Sequence, residues 1–432
     1  MIRLTSGQRR FAALAALLGN ALEWCDFAVY GYLASALGHA FFPAEVPALQ
    51  TLASFGVFAV GYLMRPVGSL LLGPLGDLLG RRLMLSVSIV IMGLSSLAIG
   101  LLPTHAQIGM AAGTLLVLLR MLQGFSVGGE FTGSITDASE AASRGHAGLL
   151  SSLATAGGLE GFSFGSLTAA LIGWVLGQQA LEAWGWRLPF LLGALVAMLG
   201  LWMRQAMPET LPDANGDPGP SNLKDLASAV LCRLRQVLQQ WRLVLQVMGL
   251  VSFANVVFYL AFVFLGDHTG MRLGNSAAAN TVATVMQTLG LPLVVLGGHL
   301  ADRHGLVRVN RWGNVVLLLV MPAGLLIGQQ GSVPALVLAL GLLLLPLMAT
   351  KGAQGVIGVA LVPLRQRCAV FSIGYSLAMA LFGGTAPLMA TWLLERQHWP
   401  WGTPLYALLY GLFALWALHT SQRQLAIAST QP

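Results

Sequence analysis

The sequence has very few charged residues for its length. Only 9% of its 432 residues are Asp, Glu, Lys or Arg, whereas 56% are hydrophobic, and the mean hydropathy is +0.75. So little charge cannot cover the surface of a water-soluble protein of this size. Lysine is nearly absent, since Lys224 and Lys351 are the only two. The composition therefore predicts an integral membrane protein.

Cysteines and catalytic motifs are also scarce. The three cysteines, Cys25, Cys232 and Cys368, have no paired spacing, which predicts neither a disulfide framework nor a metal site. There is no His-Glu-x-x-His, P-loop or dinucleotide motif. Two Gly-x-Ser-x-Gly matches, at 124–128 and 161–165, lie inside apolar segments without the strand–turn–helix context that a nucleophile needs. We predict that the protein is not an enzyme and binds no metal or cofactor.

About twelve apolar stretches are long enough to cross a bilayer, which takes about 20 residues. Their approximate bounds are 11–38, 48–72, 84–102, 108–131, 148–176, 188–204, 243–266, 278–297, 312–328, 333–360, 369–394 and 404–420. We therefore predict an all-α membrane protein of twelve transmembrane helices in two six-helix bundles, residues 1–204 and 241–432. The segment 205–240 is the predicted cytoplasmic linker, rich in proline and glycine at its start and amphipathic from Leu223 onward.

The positions of the basic residues support this topology. With a cytoplasmic N-terminus, 17 of the 23 Lys and Arg fall on the cytoplasmic side, three fall outside, and Arg65, Arg120 and Lys351 lie within helices. This asymmetry is a positive-inside pattern and predicts that both termini are cytoplasmic. The net charge of +7 therefore reflects topology, and no basic run with interleaved aromatics indicates a nucleic-acid partner.

A short pattern of glycine, leucine, aspartate and glycine occurs twice, 225 residues apart. The copies are Gly73, Leu75, Asp77, Gly80 and Gly298, Leu300, Asp302, Gly305. Duplicated hydrophobic halves with a charged loop at the same place are typical of secondary transporters. We predict a gating latch that forms in one conformation and breaks in another, made by Asp77, Arg81, Arg82, Asp302 and Arg303. The alternative is a permanent structural clamp.

Ionisable residues at membrane depth are costly, so each is a functional candidate. Glu23, Asp26 and Tyr30 are spaced i, i+3, i+7 and share one helix face, and Glu130 ends the span 108–131. Because burial favours the neutral form of a carboxyl, Glu23, Asp26 and Glu130 are candidates for proton coupling. The alternative is that the acids only link neighbouring helices.

Two cations, Arg120 and Lys351, lie at membrane depth, one in each half. We predict that they bind an anionic substrate group, together with Tyr30, Asn255 and Tyr259 along the cavity. The alternatives are pairing of each cation with a helical acid and hydrogen bonding of the polar side chains in the core. For Arg65, before Pro66, we expect the side chain to extend to the membrane interface.

The two loop copies resemble the loop motif of the major facilitator superfamily, and finer features resemble its metabolite:proton symporter branch. These features are Gly19-Asn20, residues 23–27, Arg65-Pro66-Val67-Gly68, Arg120 with Gln123-Gly124, Gly128-Gly129-Glu130, residues 184–190 and residues 382–387. The resemblance implies two six-helix bundles around a central cavity that alternate between inward-open and outward-open states. It also implies location in a bacterial inner membrane and symport of a small metabolite with protons.

From these residues and this resemblance we expect a proton-coupled importer of a small organic acid that acts as a monomer. Its partners are a small carboxylate, protons and membrane lipid, and its coupling ion is the proton, without a cofactor. The alternative substrate class is a zwitterion such as proline or a betaine, held by cation–π contacts from Trp24, Tyr30 and Tyr259. A transporter-like ligand sensor is a further alternative, which the two intact loop copies disfavour.

Overall fold

The computed structural model describes residues 20–21, 23–43, 47–79, 81–128, 130–142, 145–205, 223–363 and 367–430. Over these residues the chain is helical and contains no β-strand. The first six long helices are α1 (23–32 and Ala34–Phe41), α2 (Pro47–Leu63 and Arg65–Leu79), α3 (Arg81–Leu101), α4 (Met110–Ser126 and Glu130–Ala141), α5 (Ala147–Leu176) and α6 (Arg187–Gln205). The linker helix, Leu223–Gln239, follows.

The second six helices begin directly after the linker helix. They are α7 (Trp241–Phe258 continued by Tyr259–Phe264 and Leu265–Leu273), α8 (Ser276–His304), α9 (Leu306–Gly328), α10 (Val333–Leu361), α11 (from Arg367–Ala378 to Trp392–Arg396) and α12 (Gly402–Thr430). Among the described residues, eight helices have the length and apolar composition to cross a membrane, and α3 and α6 contain shorter apolar helices, Ser86–Leu101 and Arg187–Met198.

Local sequence signals account for several helix ends. Asn275 caps α8, since its Oδ1 accepts from the Ala278 N–H at 3.1 Å. Ser332 caps α10 in the same way, and Pro334 occupies the first turn, where a missing N–H costs nothing. Within α2 the helix is interrupted at Met64, because Pro66 has no N–H to donate to the carbonyl one turn earlier.

Glycines on α5 allow α1 to pack against it closely. A Cβ at Gly161 would lie 2.4 Å from the Ala21 carbonyl oxygen, and one at Gly165 would lie 2.7 Å from the Ala28 Cβ. Both distances are too short for a side chain, so only glycine permits this approach. The four-residue glycine spacing on α5 thus brings α1, with its acidic face, against the centre of the first bundle.

The helices form two groups of six that meet mainly along α5 with α8 and α2 with α11. At one end, α5 and α8 touch through Gly148 and Gly298, where a Cβ on either would lie within 2.5 Å of the other's carbonyl oxygen. We call this the inner end, because the basic residues predict that it is cytoplasmic. The opposite end, which carries Asp267, is the outer end.

The helix bounds can be compared with the predicted division of the chain. α6 ends at Gln205, the linker helix spans Leu223–Gln239, and α7 begins at Trp241. The division into 1–204, 205–240 and 241–432 stays a prediction. The side chains of residues 73–83, which include Asp77, Arg81 and Arg82, lie outside the described part of the structure, as does that of Glu130.

Candidate functional site

A small cavity lies between the two groups of helices, near the middle of the molecule. Its volume is about 30 Å³, which is room for about one water molecule. Side chains of α1, α4, α5, α7, α8, α10 and α11 line it, so both halves contribute. A solute larger than water can enter or leave only if the two halves move apart.

Lys351 of α10 is the cation in the lining of this cavity. Its Nζ donates a hydrogen bond to Asn255 Oδ1 of α7 at 2.8 Å and lies 4.6 Å from the centre of the Phe258 ring. Only 9% of the residue is exposed. Among the described residues, no carboxylate oxygen lies within ion-pair distance of Nζ. Among the described residues, Lys351 is therefore a buried amine with neutral neighbours only.

Aromatic rings make up much of the remaining lining, contributed by Trp24, Phe131, Phe162, Phe258, Tyr259 and Tyr375. The rings pack against one another, with centroid distances of 5.2 Å for Trp24–Phe131 and 4.9 Å for Phe162–Phe258. Ring faces attract cations, and several faces around one space can hold an ammonium group. The cavity thus combines one lysine with a wall suited to a second, bound cation.

Arg120 lies outside the cavity, inside the first bundle. Its guanidinium is fully buried, 4.6 Å from the Phe27 ring and 4.4 Å from the Tyr30 ring. Arg120 Nη1 donates to Gln123 Oε1 at 2.9 Å, and Gln123 Nε2 donates to Asp26 Oδ2 at 2.6 Å. Ser96 of α3 donates to the other oxygen of Asp26. A hydrogen-bonded chain therefore links the arginine of α4 to the acid of α1.

Glu23 forms a direct ion pair with Arg65 of α2. Arg65 Nη2 and Glu23 Oε1 are 2.9 Å apart, and both side chains are almost fully buried. The guanidinium also lies over the Trp24 ring at 4.6 Å. The expectation that Arg65 extends to the membrane interface was wrong, because a buried acid and an aromatic face provide the charge with internal partners.

The structure brings together three of the five predicted substrate-binding residues. Lys351, Asn255 and Tyr259 line the cavity, whereas Arg120 and Tyr30 pack against each other behind it. Their roles toward a substrate stay predictions. Sequence reasoning missed Gln354, which lies three residues after Lys351 on the same helix face and lines the cavity. It also missed the linking roles of Ser96 and Gln123, which no sequence spacing connects to Asp26.

The two halves are held together at the inner end by Asp302. Its two carboxylate oxygens accept hydrogen bonds from the backbone N–H groups of Gly148 and Leu149, at 2.7 and 2.8 Å. These groups belong to the N-terminal turn of α5, where partial positive charge favours an anion. Arg367 of α11 pairs with Glu140 of α4 nearby, at 2.7 Å. The neighbouring Arg303 is exposed, and its gating role stays a prediction.

The halves also meet on the outer side of the cavity. Tyr62 of α2 and Tyr259 of α7 share a 2.6 Å hydrogen bond. Nearer the outer end, the Ser35 N–H of α1 donates to Asp267 Oδ1 of α7 at 3.2 Å, and the Ser276 N–H of α8 donates to Gln178 Oε1 at 3.0 Å. Contacts at both ends place the cavity in a closed arrangement.

Comparison with solved structures gives the fold. A proton:xylose symporter, XylE, bound to 6-bromo-6-deoxy-D-glucose, superposes with a TM-score of 0.73 over 98% of this chain and 97% of its own, at 15% identity. A crystal structure of a D-xylose-proton symporter gives a TM-score of 0.68 over 94% of this chain and 96% of its own, at 19% identity. At such identities the likeness shows the fold alone, two bundles of six transmembrane helices.

Comparison with known sequences gives the family. A glycine betaine/proline/ectoine/pipecolic acid transporter, OusA, of Dickeya dadantii is 34% identical over 91% of this chain and 79% of its own length. The proline/betaine transporter of Escherichia coli K12 is 34% identical, with 91% and 80% covered, and the ectoine/proline transporter ProP of Corynebacterium glutamicum is 33% identical, with 96% and 85% covered.

These findings describe a multi-pass membrane transporter and not an enzyme, in agreement with the sequence-based prediction. The model of the Major Facilitator Superfamily matches residues 13–364, which is most of the chain. The chain therefore belongs to the Major Facilitator Superfamily.

Proposed function

We propose that this protein imports a small zwitterion of the proline or betaine type together with protons. The observation that carries the proposal is Lys351, a cation that lines an aromatic cavity between the halves and has only neutral neighbours among the described residues. Such a cavity can neutralise one carboxylate and hold one ammonium group, the two charges that a zwitterion presents.

The zwitterion replaces the organic acid as our first choice of substrate. The relatives are named as transporters of proline, betaine, ectoine or pipecolic acid, which favours the alternative that the sequence left open. The geometry supports the same choice. Because Arg120 lies behind the cavity wall, Lys351 is the one cation among the described lining residues, and a dicarboxylate would bring a second charge without such a cation to meet it. A monocarboxylate remains the second candidate, since it needs only Lys351.

Substrate binding would draw Lys351 away from Asn255. The substrate carboxylate offers the ammonium a charged acceptor, which forms a stronger hydrogen bond than the neutral amide oxygen. The substrate's own ammonium then occupies the aromatic wall of Trp24, Phe131 and Phe162, in the way that Lys351 lies over Phe258 in the closed structure. The cavity must widen for this, so binding is coupled to movement of the halves.

Asp26 is the acid that we assign to the coupling proton. Glu23 contacts the Arg65 guanidinium directly, so taking up a proton there would break a buried ion pair. Asp26 instead accepts from the neutral donors Ser96 and Gln123, so that taking up a proton breaks no direct ion pair. The side chain of Glu130 lies outside the described part of the structure, and its coupling role stays a prediction.

A continuous set of contacts connects Asp26 to the cavity. Through Gln123 the acid reaches Arg120, which lies over Phe27, and the Phe27 ring packs 4.9 Å from that of Tyr62. Tyr62 is bonded to Tyr259 in the cavity wall. Protonation that shifts Gln123 or Arg120 is thereby placed to loosen the contact between the halves, which alternating access requires.

The proposal includes the orientation in a bacterial inner membrane, with both termini and the linker helix on the cytoplasmic side. The positive-inside pattern supports this orientation, and the linker helix has an exposed polar and apolar surface that suits the lipid interface. The Asp302 contact with α5 then closes the cytoplasmic end, and the Ser35–Asp267 contact closes the opposite end.

Uptake into proteoliposomes tests the proposal. Purified protein is given labelled proline, glycine betaine, citrate or lactate, under an imposed inward proton gradient. We expect accumulation of the zwitterions, abolished by a protonophore and, at substrate concentrations below the wild-type KM, strongly reduced by Lys351→Met. Accumulation of lactate or citrate but not of the zwitterions would reverse the substrate assignment. Binding without gradient-driven flux for any ligand would favour a sensor.

A further inference from the structure

Two buried polar atoms at the cavity have no hydrogen-bond partner among the described residues. One is Gln354 Oε1 of α10, and the other is Trp24 Nε1 of α1. Both residues line the cavity, and each is only 3% exposed. A buried acceptor or donor without a partner is costly, so an unpaired atom in a cavity wall is placed to receive a ligand group. The first is an acceptor and the second is a donor.

We propose that Gln354 reads the N–H groups of the substrate ammonium and thereby distinguishes zwitterions that carry N–H from fully methylated ones. This assignment rests on the proposed function. Proline and pipecolic acid present N–H donors, whereas a quaternary ammonium presents none. The Gln354 amide oxygen accepts hydrogen bonds only from the first kind, while the aromatic faces attract both kinds.

The placement of Gln354 relative to Lys351 suits this role. The two residues are three apart on α10 and so lie on one face of the helix, at the same cavity. In an α-amino acid one carbon atom separates the nitrogen from the carboxyl carbon. A carboxylate bound at Lys351 therefore brings the ammonium close to the neighbouring position on that face. The Trp24 N–H completes the arrangement as a further donor to the carboxylate.

The arrangement also predicts selectivity for ligands whose ammonium carries N–H groups over fully methylated ones. A site built to hydrogen-bond a ligand N–H selects against the analogue that lacks it, because its own buried acceptor then remains unpaired. Without the amide, only the aromatic faces contact the ammonium, and their attraction for a cation does not depend on the number of its N–H groups. Replacing Gln354 by an apolar residue should therefore remove selectivity for N–H and leave binding of quaternary ammonium ligands nearly intact.

The test uses three ligands with one ring and one carboxylate: proline, N-methylproline and N,N-dimethylproline, with two, one and no N–H groups. Uptake kinetics are measured in proteoliposomes for the wild-type protein and for Gln354→Met. We expect Gln354→Met to raise the KM of proline at least tenfold and that of N,N-dimethylproline less than threefold, with N-methylproline between them. Retained uptake of the dimethylated ligand shows in the same experiment that the variant is folded.

The matched control is Gln246→Met. Gln246 of α7 is another buried glutamine whose Oε1 has no partner among the described residues, but it does not line the cavity. We expect its substitution to leave the three KM values in their wild-type ratio. Gln354→Leu repeats the test with a different side-chain shape.

Three results would overturn the assignment: equal KM changes for all three ligands, no change for any, or loss of all uptake in both the Met and Leu variants. The last result would reveal a purely structural role for Gln354. Failure of the wild-type protein to take up any of the three ligands would instead remove the proposed function, and this inference with it.

Discussion

The buried cations of the two halves differ in how they are neutralised. In the first half, Arg65 pairs directly with Glu23, and Arg120 reaches Asp26 through Gln123. In the second half, Lys351 has Asn255 and the Phe258 ring beside it, and no acid among the described residues is within ion-pair distance. One half thus contains its own counter-charges, and the other leaves a charge for a ligand.

Arg120 and Lys351, which share one predicted role at the substrate, therefore fall on different sides of this comparison. A network with acids, amides and hydroxyls can exchange a proton and rearrange without any ligand. Lys351, in its aromatic cavity, can bind a carboxylate, but within the described part of the chain no acid lies in ion-pair distance to relay a proton. We therefore expect coupling variants to map to the first half and substrate-affinity variants to map to α10 and its neighbours. The predictions below test this division.

The largest effect is expected from Asp26→Asn. The amide cannot take up the coupling proton, so accumulation driven by a proton gradient should fall at least a hundredfold, while exchange of labelled for unlabelled substrate continues. Both are measured in proteoliposomes. Glu160→Gln, which changes a half-buried acid of α5 outside the network, is the control and should accumulate substrate normally. Wild-type accumulation by Asp26→Asn would contradict the assignment of proton coupling to the acid network of the first half.

A second large effect is expected on stability. Glu23→Gln removes the counter-charge of Arg65 and leaves a buried cation beside a neutral group, which typically costs about 3–5 kcal/mol. Thermal unfolding in detergent should register the loss, and a double variant, Glu23→Gln with Arg65→Gln, should recover much of it. Glu140→Gln breaks a more exposed pair with Arg367 and should cost at most about 1 kcal/mol. Equal losses in both variants would contradict the contrast in burial.

The sequence predicts the helices better than the site. Hydropathy along the chain determines where a helix spans the membrane, whereas contacts between distant segments determine the site. The span 333–360 agrees with α10, Val333–Leu361, since Ser332 and Pro334 mark its start. The predicted span 243–266 is shorter than α7, which continues to Leu273. The predicted span ends before Asp267 because a charged residue interrupts the apolar run, but its carboxylate is buried and accepts a hydrogen bond from the Ser35 N–H. Hydropathy measures composition along the chain and carries no information about such partners.

Arg120 and Lys351 show where sequence reasoning about the site stops. Both are single cations within long apolar helices, and composition gives no reason to assign them different roles. Their surroundings differ, because Gln123 links Arg120 to Asp26, whereas Lys351 faces a gap between the halves. That distinction depends on helix rotation and on partners far away in sequence, such as Ser96, which lies 70 residues from Asp26.

A smaller effect, on affinity, is expected from Lys351→Met. Loss of a charged hydrogen bond to the substrate carboxylate is worth about 1.5–3 kcal/mol, which corresponds to an increase in KM of about 10-fold to 150-fold. The chain supplies its own control, because Lys224, the other lysine, is exposed on the linker helix and Lys224→Met should leave KM unchanged. A fall in the proton dependence of uptake without a rise in KM would place Lys351 in the coupling network instead.

The smallest effect is expected from Tyr62→Phe. The Tyr62 side chain connects the first half to the cavity wall of the second half through Tyr259. The substitution removes the 2.6 Å hydrogen bond to Tyr259 and keeps the rings, so it should weaken the contact between the halves by about 0.5–1.5 kcal/mol. Spin labels placed on either side of the outer end should show a larger fraction of long distances in the variant than in the wild type. Tyr30→Phe, which removes two longer hydrogen bonds with Ser54, of 3.3 and 3.4 Å, within the first half, should leave that population as in the wild type. If both variants widened it equally, the Tyr62–Tyr259 contact would not be the element that transmits protonation of the first half to the cavity.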